Sequence, residues 1–196
     1  MTGRMLTRRC FAAAGLCLAT GVAALAQQTP PAVPPGAPVQ GDQSAQEVML
    51  TQRPCLMIPG EASWDDGYDV LTRSFRTLAE EAAKARIEST GRPLAHFTQT
   101  DDFGFKFSAI LTLAAEAPAG MVFGQDAQPG KTPGGRTMRF SHQGAYDEID
   151  TTYEAITAYL DEKGLTAKGQ FLEEYLNDPK GSDDTSLEVN IYVFID

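Results

Sequence analysis

Ile149-Asp150-Thr151-Thr152-Tyr153-Glu154-Ala155-Ile156-Thr157-Ala158-Tyr159-Leu160 decides how the chain folds. Ile149, Tyr153, Ile156 and Leu160 recur at spacings of four, three and four, which is one apolar stripe on a helix. Leu71, Phe75, Leu78 and Ala82 repeat those spacings, and a shift of 78 positions lays one set on the other. The second helix is expected over Asp147–Lys163 with its stop at Gly164. The first is expected over Asp65–Glu88, with Asp65 and Asp66 at its unpaired N–H groups and Gly91 ending the segment.

Strand signals flank both helices. Before the first comes Glu47–Ile58, rich in strand formers, with Pro54 marking an edge or bulge and Pro59-Gly60 breaking it. After it, Pro93–Thr98 and Phe105–Leu113 read as an antiparallel pair. Phe105, Phe107, Ala109, Leu111 and Leu113 alternate with Lys106 and Ser108. Around the second helix the order recurs as Arg136–His142, Lys168–Leu176 and Leu187–Ile195, with a turn-rich link at Asn177–Gly181. The fold class is therefore α+β. Two pseudo-symmetric strand–helix–strand–strand repeats, about 47–113 and 133–196, form an antiparallel sheet with two helices packed on one side. Ala114–Gly135 joins them as a Pro- and Gly-rich loop, with a short strand expected at Gly120–Gln125.

The chain has 196 residues and a formal net charge of −10. That charge repels phosphate backbones and argues against nucleic acid as a partner. The first 26 residues hold Arg4, Arg8 and Arg9, an apolar run from Phe11 to Leu25, and Ala24-Leu25-Ala26. That order is a signal peptide and implies a periplasmic or secreted protein. Thr7-Arg8-Arg9-Cys10-Phe11 resembles the twin-arginine export motif, so both that route and the general secretory route stay open. Cleavage removes three arginines and takes the charge from −10 to −13. Residues 27–46 are Pro-rich and read as a disordered tether. No apolar run is long enough for a membrane span once the signal is gone. Cys55, alone after cleavage, reads as a small buried hydrophobe.

His142-Gln143-Gly144-Ala145-Tyr146-Asp147-Glu148-Ile149 resembles the "H-x-G-x-Y-x-x-I" helix entry of GyrI-like domains. These are also the effector-binding domains of AraC- and MerR-type multidrug regulators. Phe171–Pro179, FLEEYLNDP, resembles that family's "E-x-Y-x-N-D-P" strand and turn, and LEVNIYVFI at 187–195 its last strand. Ala145 and Phe194 stand where the family usually has proline. The resemblance implies a cleft between the repeats for bulky, often cationic, apolar molecules, with Glu173 as its acidic residue. Strand alternation independently puts Phe171, Glu173 and Tyr175 on one face. A carboxylate between aromatics favours an aromatic cation.

Tyr146 and Trp64, at the entries to the two helices, are further candidate ligand-binding residues. Tyr68 and Tyr192 are weaker candidates, and Tyr153 reads as core. His96 and His142 are too few and too separated for a dedicated metal site, and no cofactor is expected. The aspartate pairs 65–66, 101–102 and 183–184 read as caps and solvated loops without calcium-loop spacing. The preferred function is capture of a bulky amphipathic or cationic compound. Hydrolysis of reactive natural products, with Glu173 as general acid or base, is one alternative. A protein-interaction domain pairing through the exposed strand of each repeat is another.

Overall fold

The computed structural model describes residues 45–178 and 180–196. The expected signal peptide and nearly all of the expected tether lie outside the described residues. The elements run β1 (Gln46–Leu50), β2 (Pro54–Ser63), α1 (Gly67–Ala85), β3 (Leu94–Thr100), β4 (Gly104–Thr112), β5 (Gln128–Lys131), β6 (Gly135–Gln143), α2 (Ile149–Lys163), β7 (Ala167–Tyr175) and β8 (Glu188–Ile195). All eight strands join one antiparallel sheet in the order β1-β6-β8-β7-β3-β4-β2-β5.

The duplication is visible in that order. Each repeat contributes its three strands with the first outermost, and β3 and β7 meet at the centre. Ala95 pairs with Glu173 and Phe97 with Phe171 across this seam. The 78-residue shift that superposes the helices also carries Ala95 onto Glu173, so these two residues mark the pseudo-twofold axis. Both helices cover the same face of β7. Phe75 of α1 packs on Tyr175 with ring centroids 5.1 Å apart, and Tyr153 of α2 reaches Glu173. Leu71, Leu78, Ile149, Ile156 and Leu160 from the helix stripes join Phe105, Phe107, Leu111, Val189 and Ile191 in one core.

Several boundaries differ from the sequence reading. The expected strand Glu47–Ile58 is two strands, because Thr51–Arg53 carries the chain from β6 at one edge across to β4 in the other half. Pro59-Gly60 does not break β2, which continues to Ser63. Its missing Cβ leaves room for the Phe107 ring, which a β-carbon at Gly60 would meet at 2.6 Å. Helix α1 ends at Arg86, in a left-handed conformation with φ 56°, rather than near Gly91. Gly164 does end α2, with φ 63°. The strand expected at Gly120–Gln125 is absent from that segment, and β5 forms three residues later. Strands β1 and β5 cover the outer edges of β6 and β2, so the repeats' own first strands are not free pairing edges.

Phe107 is held in the core, so Gly60→Ala forces either the ring or β2 to shift. Overpacking of this kind costs about 1–3 kcal/mol. The expected outcome is a lower midpoint in urea unfolding with an unchanged slope.

Candidate functional site

Strand β7 turns Phe171, Glu173 and Tyr175 toward the helices, while Leu172 and Glu174 point to the opposite face. Glu174 there accepts hydrogen bonds from Asn190 and Tyr192. Glu173 is 1% exposed. The Tyr153 hydroxyl donates to its Oε1 at 2.7 Å, and the Tyr175 hydroxyl donates to its Oε2 at 2.5 Å. Its cross-strand neighbours are Ala95 and Ile191, so no cation flanks it in the sheet. Burial raises the carboxyl to about 7, and the two phenol donors hold it from rising further. Burial first, and then the Glu173 charge, push the hydroxyls of Tyr146, Tyr153 and Tyr175 well above their ordinary range. The phenols therefore keep their protons and remain donors.

Glu173 opens into a cleft of about 740 Å³ between α2 and the end of β3. Trp64, Phe97, Tyr146, Tyr153 and Phe171 wall it, with Ile149 beside them. Phe97 and Phe171 stack at 4.7 Å between centroids and 19° between planes, and Tyr153 lies 4.9 Å from Phe171. The Trp64 indole N–H donates to the Asp101 carbonyl at 2.9 Å, which ties the β2–α1 corner to the β3–β4 turn at the mouth. Thr100, Asp65, Asp101, Asp102, Asp147 and Asp150 complete the lining. A separate hollow of about 650 Å³ beside α1 has mixed charges from Glu61, Arg73 and Lys106 and does not reach Glu173.

Four sequence candidates, Glu173, Phe171, Tyr146 and Trp64, thus line one cleft. Tyr175 does not line it. It is buried behind Glu173 as a donor, and its ring faces a smaller cavity of about 300 Å³ with Tyr68, Phe75 and Arg76. That cavity is the repeat-related counterpart of the larger one, since the same shift carries Tyr68 to Tyr146 and Phe75 to Tyr153. Tyr68 and Tyr146 touch at 5.5 Å between ring centroids. Tyr192 lies on the opposite sheet face with Glu174. Tyr153, read from its spacing as core, instead has its ring in the wall and its hydroxyl on Glu173. Nothing in their sequence spacing marks Phe97 or the aspartates at the mouth as lining residues. The β3–β7 seam brings Phe97 to the site, the Trp64–Asp101 bond holds the β3–β4 turn there, and Asp147 and Asp150 arrive with the start of α2.

His142 is structural, with Nδ1 2.8 Å from the Thr152 hydroxyl and Nε2 3.2 Å from the Ala145 carbonyl. Among the described residues no three His, Cys, Asp or Glu side chains gather to hold a metal. No described helix is long and apolar enough to cross a membrane.

The family model for the GyrI-like small molecule binding domain matches residues 44–196. The chain belongs to the GyrI-like family. No curated protein sequence matches it. Among solved structures, this GyrI-like domain is similar to a hydrolase from Listeria innocua at 14% identity and TM-score 0.58, over 78% of this chain and 92% of that one. It is similar to the EcmrR C-terminal domain at 10% identity and TM-score 0.58, over 78% and 98%. It is also similar to SAV2435 bound to tetraphenylphosphonium, at 13% identity and TM-score 0.52, over 78% and 94%. At these identities the likeness is one of fold. As a GyrI-like domain the protein is a small-molecule-binding module.

The folded carboxyl at about 7 lies above its value of 4.5 in the open chain. Between those values the native state binds the extra proton, so the stabilisation contributed by Glu173 is fully present below pH 4.5 and is lost as pH rises through 7. The drop attributable to Glu173 is on the order of 3 kcal/mol. Glu173→Gln should remove this slope between pH 4.5 and 7, as read by urea unfolding at a series of pH values.

Proposed function

We propose that this protein is an exported GyrI-like domain that captures bulky aromatic cations in the Glu173 cleft. The observation carrying the reading is a buried carboxylate with no cationic neighbour at the end of an aromatic-walled cavity. A carboxylate in that position lacks the counter-charge that would offset its desolvation. An aromatic cation supplies the charge, and its rings replace water against Trp64, Tyr146 and Phe171. The bound tetraphenylphosphonium in the structure of SAV2435 supports a ligand of this class. The acidic chain and its acidic cleft mouth oppose a nucleic acid partner.

A second reading, hydrolysis of a reactive natural product with Glu173 as general acid or base, draws on the carboxyl at about 7. The two readings part on one variant. Glu173→Gln should weaken tetraphenylphosphonium by about tenfold or more, the scale of losing one buried charge pair. A neutral aromatic of similar size should be unaffected. If the protein is a hydrolase, turnover disappears while affinity changes little. Trp64 is the sole tryptophan and stands at the mouth, so quenching of its fluorescence is a direct readout.

Cation capture needs the ionised carboxylate. Affinity for tetraphenylphosphonium should therefore rise with pH up to about 7 and level off above it. Calorimetry below that value should show a proton released to buffer on binding, and Glu173→Gln should lose both effects.

Export rests on the basic start, the apolar run and Ala24-Leu25-Ala26. Mass spectrometry of the protein recovered outside the cytoplasm should find a first residue of Gln27. A full-length chain retained in the cytoplasm would refute it.

A further inference from the structure

The cleft carries more negative charge than one cation needs. Besides Glu173 it is lined by five aspartates and by no lysine or arginine. Two of the five have local work. Asp101 Oδ1 accepts from the Phe103 and Gly104 amides, and Asp147 Oδ2 accepts from the Ser182 hydroxyl. Among the described residues, the carboxylates of Asp65, Asp102 and Asp150 accept no hydrogen bond and join no ion pair, and all three are exposed.

These three come from separate places in the chain: the β2–α1 corner, the β3–β4 turn and the first turn of α2. They do not converge on a point as metal ligands do. They surround an opening whose inner end holds the buried Glu173, with aromatic rings lining the space. The cleft thus has one desolvated negative charge inside, a flat apolar middle and a diffuse negative field outside.

We infer that the cleft is built for aromatic dications, one positive group reaching Glu173 while a second stays in the field of Asp65, Asp102 and Asp150. This rests on the Glu173 reading above and adds to it the charge and length of the ligand. A single compact cation satisfies Glu173 and leaves the outer field unused. An elongated molecule with a positive group at each end uses both, and its second contact forms within an already bound complex. The outer contact lies in solvent and is screened by salt, whereas the inner one is screened much less.

The test compares propamidine, a bis-benzamidine dication, with its half-molecule para-propoxybenzamidine, by Trp64 quenching and calorimetry. At low salt propamidine should bind about tenfold or more tightly, beyond the roughly twofold statistical gain of two equivalent ends. Added sodium chloride should narrow that ratio. The variant Asp65→Asn/Asp102→Asn/Asp150→Asn should bring the ratio close to twofold. If that variant melts well below the wild type, Asp102→Asn alone, in an exposed turn, should lower the ratio in part.

A wild-type ratio near twofold, or a large ratio that survives the triple variant, overturns the inference. The Glu173 reading fails separately. If both compounds bind, Glu173→Gln weakens both and the wild-type ratio is near twofold, the cleft reading stands and the dication proposal falls. If neither compound binds, or Glu173→Gln changes neither affinity, both fall.

Discussion

A carboxylate shut away from water, with hydroxyls but no cation beside it, is the constraint that organises this domain. Glu173 is charged in water and costly to ionise where it stands. Two phenols from different elements make its burial tolerable, one from α2 and one from β7 itself. Those donors fix where α2 lies against the sheet. They also fix the rings that carry them, and those rings form the cleft wall on one side and fill the core on the other. Remove the carboxylate and Tyr153 and Tyr175 lose their shared acceptor.

The cleft is assembled from both halves of the chain, and each half does a different job. The second repeat supplies the acid and its donors. The first supplies Phe97, stacked on Phe171 across the seam, and the Trp64–Asp101 bond that closes the outer corner. Neither half has a complete cavity of its own. The counterpart space beside α1 is smaller, with Phe75 against Tyr175 and Arg76 in its lining. The same backbone plan therefore yields one acidic aromatic cleft and one tight, differently charged cavity.

Much of this could be seen in the sequence where the signal was periodic. Ile149, Tyr153, Ile156 and Leu160 announced a helix, and Phe171, Glu173 and Tyr175 announced a shared strand face. Periodicity reports which side a residue faces and says nothing of what its far atoms meet. Tyr153 thus read as core, although its hydroxyl reaches the acid. Strands β1 and β2 read as one because Gln52-Arg53-Pro54 carries no strong turn signal, and only pairing with β6 and β4 separates them. The aspartates at 65, 101 and 102 read as caps and solvated loops, because their common direction depends on a hydrogen bond between loops 37 positions apart.

The pairing of Ala95 with Glu173 breaks the symmetry of charge at the axis. A perfectly doubled fold would present two acids face to face at its axis, competing for one proton and offering a guest two mirror-equivalent ways to lie. With a methyl group on one side, that degeneracy is gone. The domain keeps a duplicated backbone plan yet buries a single acid at its axis, on one side of the seam.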